Sequence, residues 1–275
     1  MERLIAQHLH LRRHGLAEFG WAPAAAEPPF PEAIATPTVA GDGSNDSDFW
    51  LPPTPSTASR RPPARSRGHC GGSLVDPASN RELLFESHLE RNIALVALAD
   101  RRILGIWDQP PAVDYRDEHG RGRRHTFDFL FEVVGGTRIA VAVKPSAKVE
   151  RSGIARTLDL IRRQVRGFAD HYALRTERHA TPTMVQNAEW ILQARRMRDP
   201  GQVAAMAKFT ATMAEPAAMA AVVMQSGLGP GAWNALVNLI DEGAVELPDA
   251  GAAIGELALI RPVPAGTGAR EAGHA

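Results

Sequence analysis

One cysteine in 275 residues, Cys70, is too few for a disulfide framework or a cysteine-built zinc site. It suits a reducing compartment, and a cytoplasmic protein is expected. Excess charge is also missing. The chain balances 31 Lys and Arg against 31 Asp and Glu, so a basic surface for nucleic acid must be local. No apolar run approaches the length of a membrane span, and no membrane partner is expected. The opening stretch, MERLIAQHLHLRRHGLAEFGW, has neither a continuous apolar core nor a small-residue cleavage pattern, so no export signal is expected. No repeat recurs at a solenoid period.

What is present centres on residues 125–146, HTFDFLFEVVGGTRIAVAVKPS. Two runs rich in Val, Ile and Phe flank Gly135 and Gly136, the pattern of a β-hairpin. Asp128 lies early in the first run. Lys144 lies late in the second, and Pro145 after it ends the strand. Folding at the glycines brings a carboxylate and an amine to the same end of a small sheet. An acid that holds Mg²⁺ and a lysine that handles water or phosphate are half of a metal-dependent phosphodiesterase site. In an aromatic-rich strand, a carboxylate is expensive unless paired or metal-bound, which favours a functional Asp128.

Around the hairpin the chain divides into four parts. Residues 1–68 open with an amphipathic pattern over 2–19. They continue as a Pro-, Ser-, Thr- and Ala-rich segment expected to be largely disordered. That segment ends in a basic run, Arg60, Arg61, Arg65 and Arg67, which is either a solvated linker or a phosphate-contacting arm. Residues 69–178 read as an α/β domain. A helix is expected over 80–100, capped by Ser79 or Asn80, with Glu86 and Glu90 sharing a face. Strands follow at 103–107 and 113–116, then a polar turn, the hairpin, a helix over 149–170 and a strand over 171–176. Residues 179–265 read as four Ala- and Met-rich helices followed by a small two-stranded wing, the outline of a winged helix-turn-helix. Residues 266–275 read as a tail.

Taken in order, the segments ESHLE, WDQPPAVDY, HTFDF and AVAVKPS resemble the TnsA-type transposase endonucleases, members of the restriction-endonuclease-like superfamily. The matching pieces are the S-x-x-E of Ser87 to Glu90, the Q-P…Y of Gln109 to Tyr115, the T-x-D-F of Thr126 to Phe129, and the x-x-K of Ala142 to Lys144. The resemblance covers residues 70–178, and the helical part more loosely. It implies a restriction-endonuclease-like core, a mixed sheet flanked by helices. Glu90 and Asp128 would bind Mg²⁺ or Mn²⁺, and Lys144 would position or activate the attacking water. It also implies double-stranded DNA as substrate, a DDE-type transposase subunit as partner, and an AAA+ transposition regulator in the same machinery. Gln109 would brace its loop against backbone. Arg162, Arg163 and Arg166 are either a solvated helix face or a DNA-binding track.

One position departs from the family. Ala142 stands two before the lysine, where the family has Glu or Gln, and i and i+2 share a strand face. Three accounts follow. Glu86, or more weakly Glu150, replaces the lost ligand; or backbone carbonyls and waters complete the Mg²⁺ shell; or the domain only binds DNA or a partner. The last account makes the protein a catalytically degenerate scaffold for a transposase.

Overall fold

The protein's structure, a computed structural model, describes residues 51–59, 71–249 and 251–264. The expected helix over 2–19, the basic run from Arg60, Cys70 and the tail lie outside them. The chain divides into two units between His179 and Ala180, and each is taken separately.

The first unit begins with a hairpin, β1 (Gly72–Asp76) and β2 (Arg81–Phe85), paired antiparallel from Gly72↔Phe85 to Asp76↔Arg81. This corrects the helix expected from residue 80. RELLF carries an alternation that a helix pattern masks: Arg81, Leu83 and Phe85 are buried, while Glu82 and Leu84 are half-buried. The residues taken for a cap form the turn instead. The Asp76 carboxylate accepts from the Ala78 N–H and Ser79 Oγ, and Asn80 takes a φ of 47°. The helix itself, α1 (His88–Ala99), starts seven residues later than Arg81, behind Ser87.

A four-stranded mixed sheet follows, in the order β3-β6-β7-β8. It comprises β3 (Ile103–Asp108), β6 (Phe129–Val133), β7 (Arg138–Val143) and β8 (His171–Arg175). The first two pairings are antiparallel and β7–β8 is parallel. The β6–β7 connection is the expected Gly135-Gly136 hairpin, both glycines at positive φ. A separate ribbon, β4 (Val113–Arg116) and β5 (Gly122–His125), precedes β6. The crossover from β7 to β8 carries two helices, α2 (Ser146–Ser152) and α3 (Ile154–Gln164). The single helix expected over 149–170 is broken at Gly153, whose φ of 63° ends α2. It stops at Gln164, before the extended Val165. Leu158 and Ile161 of α3 pack with Phe127, Leu130, Ala140, Ala142 and Tyr172 on one face of the sheet.

Residues 51–59, inside the segment expected to be disordered, are instead pinned to this unit. Thr54 bridges Arg81, the Ser59 N–H donates to the Gln109 carbonyl (2.9 Å), and Ser56 Oγ donates to Asp108 Oδ2 (2.6 Å). Composition hides this because the strap is held by hydrogen bonds to a buried carboxylate and to main chain, not by apolar burial.

The second unit holds α4 (Pro182–Arg196), α5 (Pro200–Thr210), α6 (Met219–Ser226) and α7 (Ala232–Glu242). Three short antiparallel strands, β9 (Ala217–Ala218), β10 (Val245–Glu246) and β11 (Leu259–Pro262), lie in the order β10-β11-β9. The four helices and the β10–β11 pair match the expected four helices and two-stranded wing; β9 adds a third strand. Leu236 and Met206 are fully buried at the centre of the core. Arg195 grips the buried Asp241 through two hydrogen bonds (2.9 and 2.7 Å), tying α4 to α7.

Candidate active site

Strand register lines up four strand ends at one edge of the sheet. The Gln109 N–H donates to the Asp128 carbonyl (2.9 Å), and the Asp128 N–H donates to the Val141 carbonyl (3.0 Å). The Val143 N–H donates to Asp128 Oδ2 (2.6 Å), and the Lys144 N–H donates to the Arg175 carbonyl (2.9 Å). Asp128 and Lys144 therefore meet at the end of β7, as the hairpin pattern implied. Asp128 sits at the bend just before β6.

Gln109 braces this bend through its main chain. It is buried, and its φ of 39° lies in a region that non-glycine residues rarely occupy. The neighbouring Asp108 is fully buried, and its Oδ2 also accepts from the Leu84 N–H (2.7 Å).

Glu90 arrives from the N-terminus of α1. Ser87 Oγ accepts from the Glu90 N–H (3.2 Å), while the Glu90 carboxylate accepts from the Glu86 N–H (2.6 Å) and Ser87 Oγ (2.8 Å). S-x-x-E is thus a capping box. That local role is one the sequence reading left out, although Ser, then Glu three residues later, before an apolar run is its usual signal. Glu86 lies between β2 and α1, not one helical turn from Glu90, yet the same hydrogen bond keeps the two residues together.

The electrostatics join these residues into one cluster. Burial, together with the nearby Glu90 and Glu86 carboxylates, pushes the Asp128 carboxyl up to about 7, against the pull of the Val143 N–H and Lys144. Burial and the Lys144 charge hold His125 below its ordinary value. His125 stands edge-on to Phe127 at 4.7 Å between ring centroids, and its buried Nε2 has no hydrogen-bond partner among the described residues.

Ala142 is buried among Phe127, Ala140 and Leu158, so its side chain contributes core contact and nothing else. Glu150 is exposed on α2. Arg162 and Arg163 both pair with Asp159 (2.7 and 2.5 Å); Arg163 and Arg166 are exposed.

Among the described residues, no group of three or more His, Cys, Asp or Glu side chains is arranged to hold a metal. A smaller donor set suits Mg²⁺, which keeps several waters and takes one or two carboxylates. Asp128 Oδ1 makes no hydrogen bond among the described residues, and like charges crowd it, the condition a divalent cation relieves. The oxygens of Glu90 each accept one hydrogen bond and keep a second acceptor site. No protein-family model matches the chain, and no curated protein matches it. No helix among the described residues is long and apolar enough to cross a membrane.

Proposed function

We propose that this protein is the metal-dependent DNA endonuclease subunit of a heteromeric transposase, similar to the TnsA-type enzymes. The observation that carries the reading is the convergence of Asp128, Glu90, Glu86 and Lys144 at one sheet edge, with Asp128 pushed up to about 7. Asp128, with Glu90 or Glu86, would hold Mg²⁺ or Mn²⁺. The bound ion would lower the pKa of water and offset charge on the phosphorus. Lys144, held beside Asp128 by its main chain, would orient the attacking water. Val143 fixes the Asp128 carboxylate by its N–H to Oδ2, which would leave Oδ1 for the ion.

The second unit supports a winged-helix module. Helix α5, strand β9, helices α6 and α7, and the β10–β11 pair follow one another in that order, with β9 completing the small sheet. Such a module would dock the DDE-type subunit or an AAA+ regulator.

A second reading, a catalytically degenerate subunit that binds DNA or scaffolds the transposase, is favoured by two observations. Ala142 is locked into the core, and both Glu90 oxygens serve the cap of α1. Nicking of supercoiled DNA separates the two readings. It would be measured with Mg²⁺ or Mn²⁺, with and without a DDE-type partner. The endonuclease reading expects nicking that disappears in Asp128→Ala and Lys144→Ala. DNA binding without nicking, even with the partner present, would replace it with the second.

A further inference from the structure

We propose that the β4–β5 ribbon, with the end of α3, grips the phosphate backbone of duplex DNA and leads it to the Asp128–Lys144 edge. The inference rests on the nuclease reading for the use made of the bound DNA, but the binding surface is argued from charge and geometry.

The ribbon is a two-stranded antiparallel sheet separate from the main sheet. One face carries Val113 and Tyr115, which pack on the core; the other carries Asp114, Arg116 and Arg124, which are exposed. A ribbon of this width enters a major groove about 12 Å across. Its base is rigid. The Gln164 side chain at the end of α3 accepts from the Arg116 N–H (2.8 Å) and donates to the Arg116 carbonyl (2.9 Å). Its far strand ends at His125, three residues before Asp128, so the ribbon leads along the chain into the candidate site.

The charge on a neutral chain is segregated here. Residues 113–125 and 146–166 together hold ten Lys and Arg against five Asp and Glu; residues 180–264 hold five against eight. Helix α7, at the recognition-helix position of the second unit, has no Lys or Arg at all. The ribbon's acids are already engaged. Asp117 builds the turn, accepting from the His119 and Arg121 N–H groups (3.0 Å each) and from Arg123 Nε (3.0 Å). Glu118 pairs with Arg156 at 2.6 Å. Asp114 and Arg124 form a 3.0 Å pair with side chains 73% and 72% exposed, so the bond is weak and a phosphate can displace it. Arg121, at the tip, is exposed. Tyr115, Arg116, Arg123, Arg124 and Gln164, with Gly122 and the one acid Asp114, wall an open hollow of about 520 Å³, a shape for a passing backbone rather than an enclosed small molecule.

The test is duplex binding by the full chain, read by fluorescence anisotropy between 50 and 200 mM salt. Arg121→Glu/Arg124→Glu is compared with Arg196→Ala/Lys208→Ala on the second unit. The ribbon variant is expected to bind roughly tenfold more weakly, with a log–log salt slope shallower by about two, since each phosphate contact contributes about 0.9. The second-unit variant is expected to bind as wild type. Thermal melts check folding, and Arg121→Ala/Arg124→Ala repeats the test if charge reversal unfolds the chain. Unchanged binding in the ribbon variants, a loss confined to the second-unit variant, or no duplex binding by wild type would overturn the proposal. A parallel nicking assay keeps the two readings apart. A ribbon-dependent binder that never nicks removes the nuclease reading and leaves the ribbon standing. A nicking wild type with a ribbon variant that binds normally removes the ribbon and leaves the nuclease.

Discussion

Asp128 is held at an energetic cost. Its carboxyl titrates at about 7, above the ordinary 3.8, because burial and the Glu90 and Glu86 charges disfavour ionisation. Between those two values the folded state keeps the proton better than the unfolded state does. Stability therefore falls as pH rises from about 4 to 7 and then levels off. At about 1.4 kcal/mol per pH unit, the loss is at most roughly 4 kcal/mol. Asp128→Asn keeps an acceptor for the Val143 N–H and carries no charge. Its melting temperature should match wild type near pH 4 and exceed it by several degrees at pH 8; a constant offset across that range would contradict the burial argument. Glu90 offers a different separation. Glu90→Gln retains oxygen for the cap and should change stability by no more than about 1 kcal/mol, whereas Glu90→Ala should cost roughly 0.5–2 kcal/mol. If Glu90 is also a metal ligand, Glu90→Gln should lose nicking while its melt stays near wild type. Asp128 and Lys144 were legible in the sequence because hairpin register depends on local pattern. The capping role of Glu90 was legible too, in the spacing of Ser87 and Glu90, but the family resemblance gave the same four residues another meaning.

Among the elements, the hairpin, α1 beyond its first turn, and the helices of the second unit follow from periodicity and boundary residues. Errors fell where two patterns overlap. LLF fits a helix and a strand equally, and the pairing partner β1 decides between them. The 51–59 strap is the clearest case of tertiary rescue. Its Pro- and Ser-rich composition predicts no order, yet Ser56 contributes a hydrogen bond to the fully buried Asp108, and Ser59 holds the main chain of Gln109. Ser56→Ala should destabilise the first unit by about 1–3 kcal/mol, the penalty for leaving a buried carboxylate short of a partner. Because Gln109 in turn supports the Asp128 bend, the same variant should also loosen amide protection at Asp128 in hydrogen exchange. Protection unchanged there would mean that the strap is decorative.

At the level of the whole molecule, two units with separate cores divide the chemistry from the surplus acidic charge. The second unit depends on polar ties as well as its apolar core, the Arg195–Asp241 pair among them. Asp241→Ala would remove both hydrogen bonds that the partly exposed Arg195 makes to this buried carboxylate and should cost about 1–3 kcal/mol, read as an early unfolding transition in a denaturant melt. The sequence by itself determined the Gly-Gly hairpin and the meeting of Asp128 with Lys144, since each depends on residues close together along the chain. Only the tertiary structure decided that Ala142 is core, that Arg162 and Arg163 share Asp159 as a partner, and that residues 51–59 are held. It also decided that the polar turn before the hairpin joins two strands into an antiparallel ribbon. Those outcomes depend on which groups a strand, a helix and a strap bring within hydrogen-bonding distance across tens of residues. Local periodicity carries no record of such contacts.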